Sequence, residues 1–373
     1  MTDLHVPEGA TWAQLSPRLR RILLEAPDEA VVVATSGSSG DPKRVRLTGA
    51  ALRASGEATA DLLGGHGRWL LALPTHHVAG LQVLARSVLA GTVPVALSPG
   101  MPFTAAAFAA ALGQLVQEGD GPRYASLVPT QLHRLLADEE GTRAAATLDA
   151  ILLGGAAADP GLLTRARDAG VRVVTTYGMS ETCGGCVYDG RPLAGLRVRL
   201  DDERVLLSGP MLADGYVQAD GRRDVGRTGE RFAEIAGARW FRTDDRGEVD
   251  ADGRLRILGR VDDVIITGGH KVEPREVEAA LRALSLVDDA VVLGVPDAEW
   301  GQAVAALVVP AAARDLPEGT DAWRERLRRA LPPHALPDHA LPRRVVVRDG
   351  IPLLPSGKPD LQHIRGLLSR SLI

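Results

Sequence analysis

Residues 35–45 read Thr-Ser-Gly-Ser-Ser-Gly-Asp-Pro-Lys-Arg-Val, placing hydroxyls, glycines and a cation in one short run after the apolar residues Val31 to Ala34. Gly37 and Gly40 allow backbone N–H groups to turn toward a phosphate without interference from a Cβ. Thr35, Ser36, Ser38 and Ser39 add hydroxyl donors, and Lys43 adds positive charge. Such a run suits the β- and γ-phosphates of ATP. It is not a Walker A loop, which counted from Gly37 would need glycine where Pro42 stands. A flexible polar loop after a strand is the alternative reading, and the segments downstream decide between them.

Four further segments carry unusual chemistry in a fixed order. Thr176-Tyr-Gly-Met-Ser-Glu-Thr182 follows an apolar strand. Trp240-Phe-Arg-Thr-Asp-Asp245 ends another. Gly259-Arg-Val-Asp-Asp263 leads into Thr267-Gly-Gly-His-Lys-Val-Glu-Pro274, and Leu354-Pro-Ser-Gly-Lys358 lies close to the carboxyl end. The two cysteines, Cys183 and Cys186, are spaced as a redox pair or half of a zinc site. A structural zinc needs four ligands, and no second Cys or His pair sits at suitable spacing. They are therefore expected to be small packing residues beside a site.

These segments need a scaffold. The chain has 373 residues, 45% of them hydrophobic, with a net charge of −4, which describes a globular protein of two or three domains. A mildly acidic balance gives no electrostatic argument for nucleic acid or for an anionic membrane. No apolar run is long enough for membrane insertion, and the amino terminus lacks a signal-peptide pattern. The cytoplasm is the expected compartment. From residue 28 to about 178, short apolar strands (30–34, 69–73, 93–97, 124–128, 151–153, 171–175) alternate with helical runs (81–90, 103–116, 130–137, 160–169). That order predicts an α/β fold with a mostly parallel, helix-covered sheet, whose functional loops follow the carboxyl ends of the strands. After residue 190, short strands separated by turns such as Asp252-Gly253 predict an antiparallel β-subdomain. Beyond 260 a compact α+β pattern predicts a small carboxyl-terminal domain, with Pro274 in the first turn of its leading helix. The expected domains are 1–259 and 260–373.

In this order, the five segments resemble the adenylate-forming superfamily of acyl-CoA ligases, adenylation domains and luciferases, over nearly the whole chain. Within it, Ser126-Leu-Val-Pro-Thr130, Ile151-Leu-Leu-Gly-Gly-Ala156 and Tyr177-Gly-Met-Ser-Glu-Thr-Cys-Gly-Gly185 are similar to the o-succinylbenzoate–CoA ligases of menaquinone biosynthesis. Family members carry a much longer segment before the phosphate loop than the 34 residues present here, so part of the first subdomain is expected to be reduced.

The resemblance implies a two-step, AMP-forming acid–thiol ligase using ATP, Mg²⁺ and coenzyme A. A carboxylate attacks the α-phosphate of ATP, and positive charge must offset the repulsion of two anions. It implies Lys358 as the catalytic cation, and Glu181 as the Mg²⁺ ligand. Ser180 is the expected donor to the α-phosphate. Tyr177, flanked by Thr176 and Gly178, is expected to stack on adenine, with Gly155 and Ala156 as the other wall. Asp245 is expected at the ribose hydroxyls, and Arg260 at ribose or phosphate. Asp244 stands where the family has glycine. His77, in Leu73-Pro-Thr-His-His-Val-Ala-Gly-Leu81, matches a family histidine; a substrate-side role is expected, with a structural histidine as the alternative reading. In the second step a thiol attacks the acyl-adenylate. The small domain is then expected to rotate about Asp262, withdrawing Lys358 and presenting Gly269 and Lys271 to the pantetheine channel. Another aryl- or acyl-CoA ligase, or a non-catalytic nucleotide-binding relative, are the rival readings. The sequence leaves open whether the chain forms a homo-oligomer.

Overall fold

The computed structural model describes residues 3–35, 43–97, 102–311, 320–354 and 359–370. The chain divides into two compact units. One comprises Met1–Asp201, Val205–Thr243 and Val249–Arg256, and the other Asp202–Arg204, Asp244–Glu248 and Ile257–Ile373.

At the centre of the first unit is a seven-stranded sheet in the order Arg191–Pro192, Gly184–Tyr188, Val173–Met179, Ala150–Leu153, Arg123–Leu127, Arg68–Leu71, Val95–Ala96. The last five strands pair parallel. The chain then reverses at Met179, and Gly184–Tyr188 returns antiparallel beside the strand it has just left. The parallel strands are short continuous apolar runs, as strands covered on both faces must be. Phe108, Leu112, Leu115, Leu132 and Leu135 from the covering helices close over Leu70, Ala125, Leu127, Ile151 and Leu153. Helix starts are fixed locally. Thr104 and Asp159 accept from the backbone N–H groups of Ala107 and Leu162, and Pro160 occupies a position where no N–H is needed. Helix Val78–Leu89 is apolar nearly all round and is buried along most of its length, the behaviour of a helix held between layers.

One expectation requires correction. The strand at Ala30–Thr35 is not part of the parallel sheet. It pairs antiparallel with Lys43–Thr48, in a separate four-stranded sheet ordered Leu4–His5, Ala30–Thr35, Lys43–Thr48, Gly215–Val217. Only residues 36–42 join the pair, and a parallel crossover needs roughly a dozen residues or more. Helices Trp12–Arg20 and Gly49–Leu63 also lie outside the elements read from the sequence. A five-stranded sheet of short strands follows residue 196, with Phe232–Ile235 antiparallel to the long strand Ala238–Val249.

The second unit is built on the antiparallel pair Val287–Asp297 and Gly301–Pro310. Strand Arg344–Val347 lies parallel to the latter, and the hairpin Ile265–Thr267/His270–Val272 joins that same strand antiparallel, Thr267 opposite Gly301. Val277, Leu281, Trp323 and Leu327 cover one face of this sheet, while Ile364 and Leu368 cover the other. Among the described residues no helix is long and apolar enough to cross a membrane.

Candidate active site

The parallel strands point their carboxyl ends the same way, so the segments following Arg68–Leu71, Ala150–Leu153 and Val173–Met179 emerge at one edge of the sheet. Those segments hold His77, Gly155 with Ala156, and Ser180 with Glu181.

Thr176 donates through Oγ1 to the carbonyl of Leu153 at 3.2 Å. A Cβ on Gly154 would lie 2.3 Å from that oxygen, so glycine lets the loop bearing Gly155 and Ala156 close against Thr176. Tyr177 is half-buried and Gly178 exposed. At Gly178 a Cβ would meet the Gly184 carbonyl at 2.0 Å, so any side chain there would separate the two strands. The reversal between them is tied by Thr182, whose Oγ1 donates to the Gly184 carbonyl at 2.7 Å and accepts from Met179 N–H at 3.0 Å. Cys183 takes a left-handed conformation, φ +54°. Its carbonyl accepts from Gln82 at 2.8 Å and from Ser55 at 3.3 Å.

Ser180 and Glu181 are buried in this reversal. The Glu181 carboxylate accepts from the Tyr216 hydroxyl at 2.7 Å, and its backbone carbonyl accepts from Ala213 N–H at 2.8 Å. Glu181 is only 9% exposed, yet among the described residues no lysine, arginine or histidine pairs with it. A buried carboxylate lacking a counter-ion is a site that a cation would stabilise.

His77 is the residue before helix Val78–Leu89 and its ring packs on that of His76, centroids 4.3 Å apart. The start of this helix presses on the preceding turn. A Cβ on Gly80 would lie 2.2 Å from the Pro74 carbonyl oxygen, so the spacing from Pro74 through His77 to Gly80 has a steric cause.

Thr35 and Lys43 face each other in register at the ends of their strands, and the Thr35 hydroxyl donates to the Lys43 carbonyl at 3.3 Å. The intervening Ser36, Gly37, Ser38, Ser39 and Gly40 lie outside the described residues, as does Lys358. Lys43 shares its strand with Val45, which pairs with Tyr216. The same short strand, Gly215–Val217, thus touches both Lys43–Thr48 and the Glu181 carboxylate.

Asp245, Arg260, Gly269 and Lys271 belong to the second unit. Arg260 pairs with Asp244 at 3.3 Å. Asp262 lies exposed in the turn Val261–Asp263. Gly268 and Gly269, φ +54° and +81°, make the two-residue turn between Ile265–Thr267 and His270–Val272, a geometry with positive φ at both positions that favours glycine. Lys271 is exposed on the second strand.

The cysteine reading holds in packing terms. Both thiols are free and fully buried. Burial pushes the Cys183 thiol well up and that of Cys186 up to about 12. Among the described residues no group of three or more His, Cys, Asp or Glu side chains could hold a metal ion.

Two residues of this region are not identified by the sequence motifs. Tyr216 is one. Arg86 is the other, 5% exposed and on the same face of its helix as Gln82. It donates through Nη2 to Thr59 Oγ1 at 3.2 Å and Tyr188 Oη at 3.1 Å, and lies over the Trp69 ring at 5.0 Å. Its Nε is buried without an acceptor, and among the described residues no carboxylate pairs with it. A small, partly open cleft lies beside it, lined by Gly56, Ala60, Gly65, His66, Gly67 and Trp69. The signal for Arg86 was a solitary charge in an apolar helix. For Tyr216 there was none, because its partner lies 35 residues away.

Residues 7–217 match the family of AMP-binding enzymes, and residues 276–358 match the AMP-binding enzyme C-terminal domain. The chain is similar to a probable 2-succinylbenzoate–CoA ligase of Mycobacterium tuberculosis (strain ATCC 25618 / H37Rv), with 43% identity over 337 residues, covering 83% of this chain and 85% of that protein. It is 33% identical over 321 residues to 2-succinylbenzoate–CoA ligase of Escherichia coli (strain K12), covering 83% of this chain and 63% of that one. Among solved structures it resembles o-succinylbenzoate CoA synthetase from Bacillus subtilis in complex with the acyl-adenylate intermediate OSB-AMP. The TM-score is 0.70 at 28% identity, over 90% of this chain and 68% of the other.

Proposed function

This chain belongs to the AMP-binding enzyme family, and from that premise we propose that it is an ATP-dependent ligase joining 2-succinylbenzoate to coenzyme A through an acyl-adenylate. In the first step a carboxylate oxygen of the acid attacks the α-phosphorus of ATP, and the bond to the bridging oxygen breaks to release pyrophosphate. In the second, the thiol sulfur attacks the acyl carbon, the bond to the phosphate oxygen breaks, AMP leaves, and the thiol proton passes to solvent.

The assigned roles follow from residue chemistry and family resemblance. Residues 35–40 and Lys43 hold the β- and γ-phosphates. Ser180 donates to the α-phosphate. Tyr177 stacks on adenine against Gly155 and Ala156, with Thr176 and Gly178 fixing the strand edge. Asp245 and Arg260 take the ribose, and His77 orients the acid. Lys358 offsets the charge that builds as the two anions meet. Gly269 and Lys271 line the pantetheine path after a rotation about Asp262, between domains 1–259 and 260–373. Glu181 is the carboxylate that would hold Mg²⁺, and its burial without a counter-ion fits a cation. Bound there, the metal would supply charge neutralisation to the phosphates. The cytoplasm, where ATP and coenzyme A are supplied, is the proposed site of action.

Arg86 carries the choice of acid. The proposed substrate has two carboxylates, and only one is activated. A buried guanidinium whose described hydrogen bonds go only to two hydroxyls is suited to the one that stays charged. His77 and Arg86 lie at the start and near the end of one helix, nine residues or ~13 Å apart along its axis, so a single elongated acid could address both. The test is acid-dependent ATP–pyrophosphate exchange with 2-succinylbenzoate, benzoate and a fatty acid, for the native enzyme and Arg86→Leu. 2-Succinylbenzoate is expected to be preferred at least ~100-fold by the native enzyme, in line with a lost charged hydrogen bond, and the preference is expected to collapse in the variant. Equal exchange with benzoate would overturn the assignment.

A further inference from the structure

We infer that Tyr216 is a positioning residue for the metal-binding carboxylate. This rests on the reading of Glu181 as the Mg²⁺ ligand. The Tyr216 hydroxyl donates to Glu181 Oε1 at 2.7 Å, and the ring is 2% exposed. A phenol restrains a carboxylate without neutralising it, as a lysine or arginine would. One carboxylate oxygen is thereby fixed, and the charge stays available to a cation.

The surrounding structure locks the phenol in place. Tyr216 sits in register with Val45. Its N–H donates to Thr228 Oγ1 at 3.0 Å, and its ring lies 6.1 Å from that of Phe232. Gly215, φ +144°, has no room for a Cβ, which would come within 2.7 Å of the Thr228 side chain. Three residues before Tyr216, Ala213 holds the Glu181 backbone. The segment 213–216 therefore grips Glu181 at both its carbonyl and its carboxylate.

The experiment uses Tyr216→Phe, which keeps the ring and removes only the hydroxyl. Mn²⁺ binding in the presence of a non-hydrolysable ATP analogue is followed by electron paramagnetic resonance, alongside the Mg²⁺ dependence of pyrophosphate release. The expected result is ~10-fold weaker Mn²⁺ binding, with the same shift in the Mg²⁺ concentration for half-maximal rate. The rate at saturating Mg²⁺ is expected to stay within threefold of native, as is nucleotide affinity in EDTA. A merely structural role would lower rate or melting temperature without moving the metal titration. Metal affinity within twofold of native overturns the proposal. Glu181→Gln separates the two readings. If it binds Mn²⁺ as tightly as native, Glu181 is not the ligand and both readings fall. If it loses Mn²⁺ while Tyr216→Phe does not, only the role of Tyr216 fails.

Discussion

Arg86 and Glu181 lie more than ninety positions apart, and each is recognisable only by what surrounds it. The motif residues are different. Thr176 to Glu181 and the Pro74–Gly80 stretch are contiguous, so their spacing alone carries the steric requirements that Gly154, Gly178 and Gly80 satisfy in the structure. A tyrosine on one short strand bonding to a glutamate 35 residues away in a turn leaves no local trace. Lys358 is the sharpest test at this scale. Lys358→Ala is expected to lose acid-dependent pyrophosphate release by ~10³-fold or more, comparable to losing a transition-state charge contact, while thioester formation from supplied acyl-AMP largely survives. Equal loss of both would contradict a role confined to the first step. The buried thiols give a pH prediction. Folding raises the Cys186 pKa from 9.0 to about 12, so its contribution to stability is complete below pH ~9 and is lost as pH rises through ~12. Native protein at pH 8 is accordingly expected to leave Cys183 and Cys186 unreacted with a thiol reagent, and urea-unfolded protein to react at both. Rapid labelling of the folded chain would contradict the packing reading.

Among the elements, the parallel strands were legible because both faces are covered and their sequences are unbroken apolar runs. Ala30–Thr35 has the same apolar character, so periodicity could not assign it to a sheet. The decisive fact was the brevity of the link to Lys43–Thr48. That strand alternates charged and apolar residues through Lys43-Arg-Val-Arg-Leu, a half-buried pattern that the neighbouring phosphate-loop motif obscured. Helix Gly49–Leu63 buries Gly49, Ser55 and Gly56 along with its apolar residues, so small residues interrupt the apolar period that would mark it. Gly80 offers a test of element placement. Gly80→Ala would set a methyl 2.2 Å from the Pro74 carbonyl, so the helix start must shift, at a cost of about 1–3 kcal/mol. A lower urea midpoint is expected, together with slower adenylation at temperatures where the variant remains folded, because His77 moves with the helix. An unchanged midpoint would show that the turn relaxes freely.

For the whole molecule, the change of pattern near residue 260 was readable because an α+β arrangement has a different rhythm from the strands before it. The structural grouping is less tidy. Asp202–Arg204 and Asp244–Glu248 cluster with the residues beyond Ile257, held by Arg246, which bonds both Glu203 and Glu273. No sequence period announces that knot, since three separate segments meet in it. Asp262 lies between Arg246 and Glu273 in the chain. Asp262→Pro, which fixes φ near −65°, is expected to impair one half-reaction at least ~10-fold more than the other. Measuring pyrophosphate release and thioester formation separately checks this, and equal damage to both would remove the hinge assignment.

Arg86 and Glu181, a buried cation and a buried anion without a counter-ion among the described residues, are least comfortable with nothing bound. A metal at Glu181 and an acid at Arg86 would each bring the missing opposite charge, and occupancy would raise the folding free energy by mass action as ligand concentration exceeds Kd. Cells short of the acid would then hold a population that opens more often and is cleared sooner by proteases. The quantity of this protein would follow the supply of what it consumes, with no dedicated regulator.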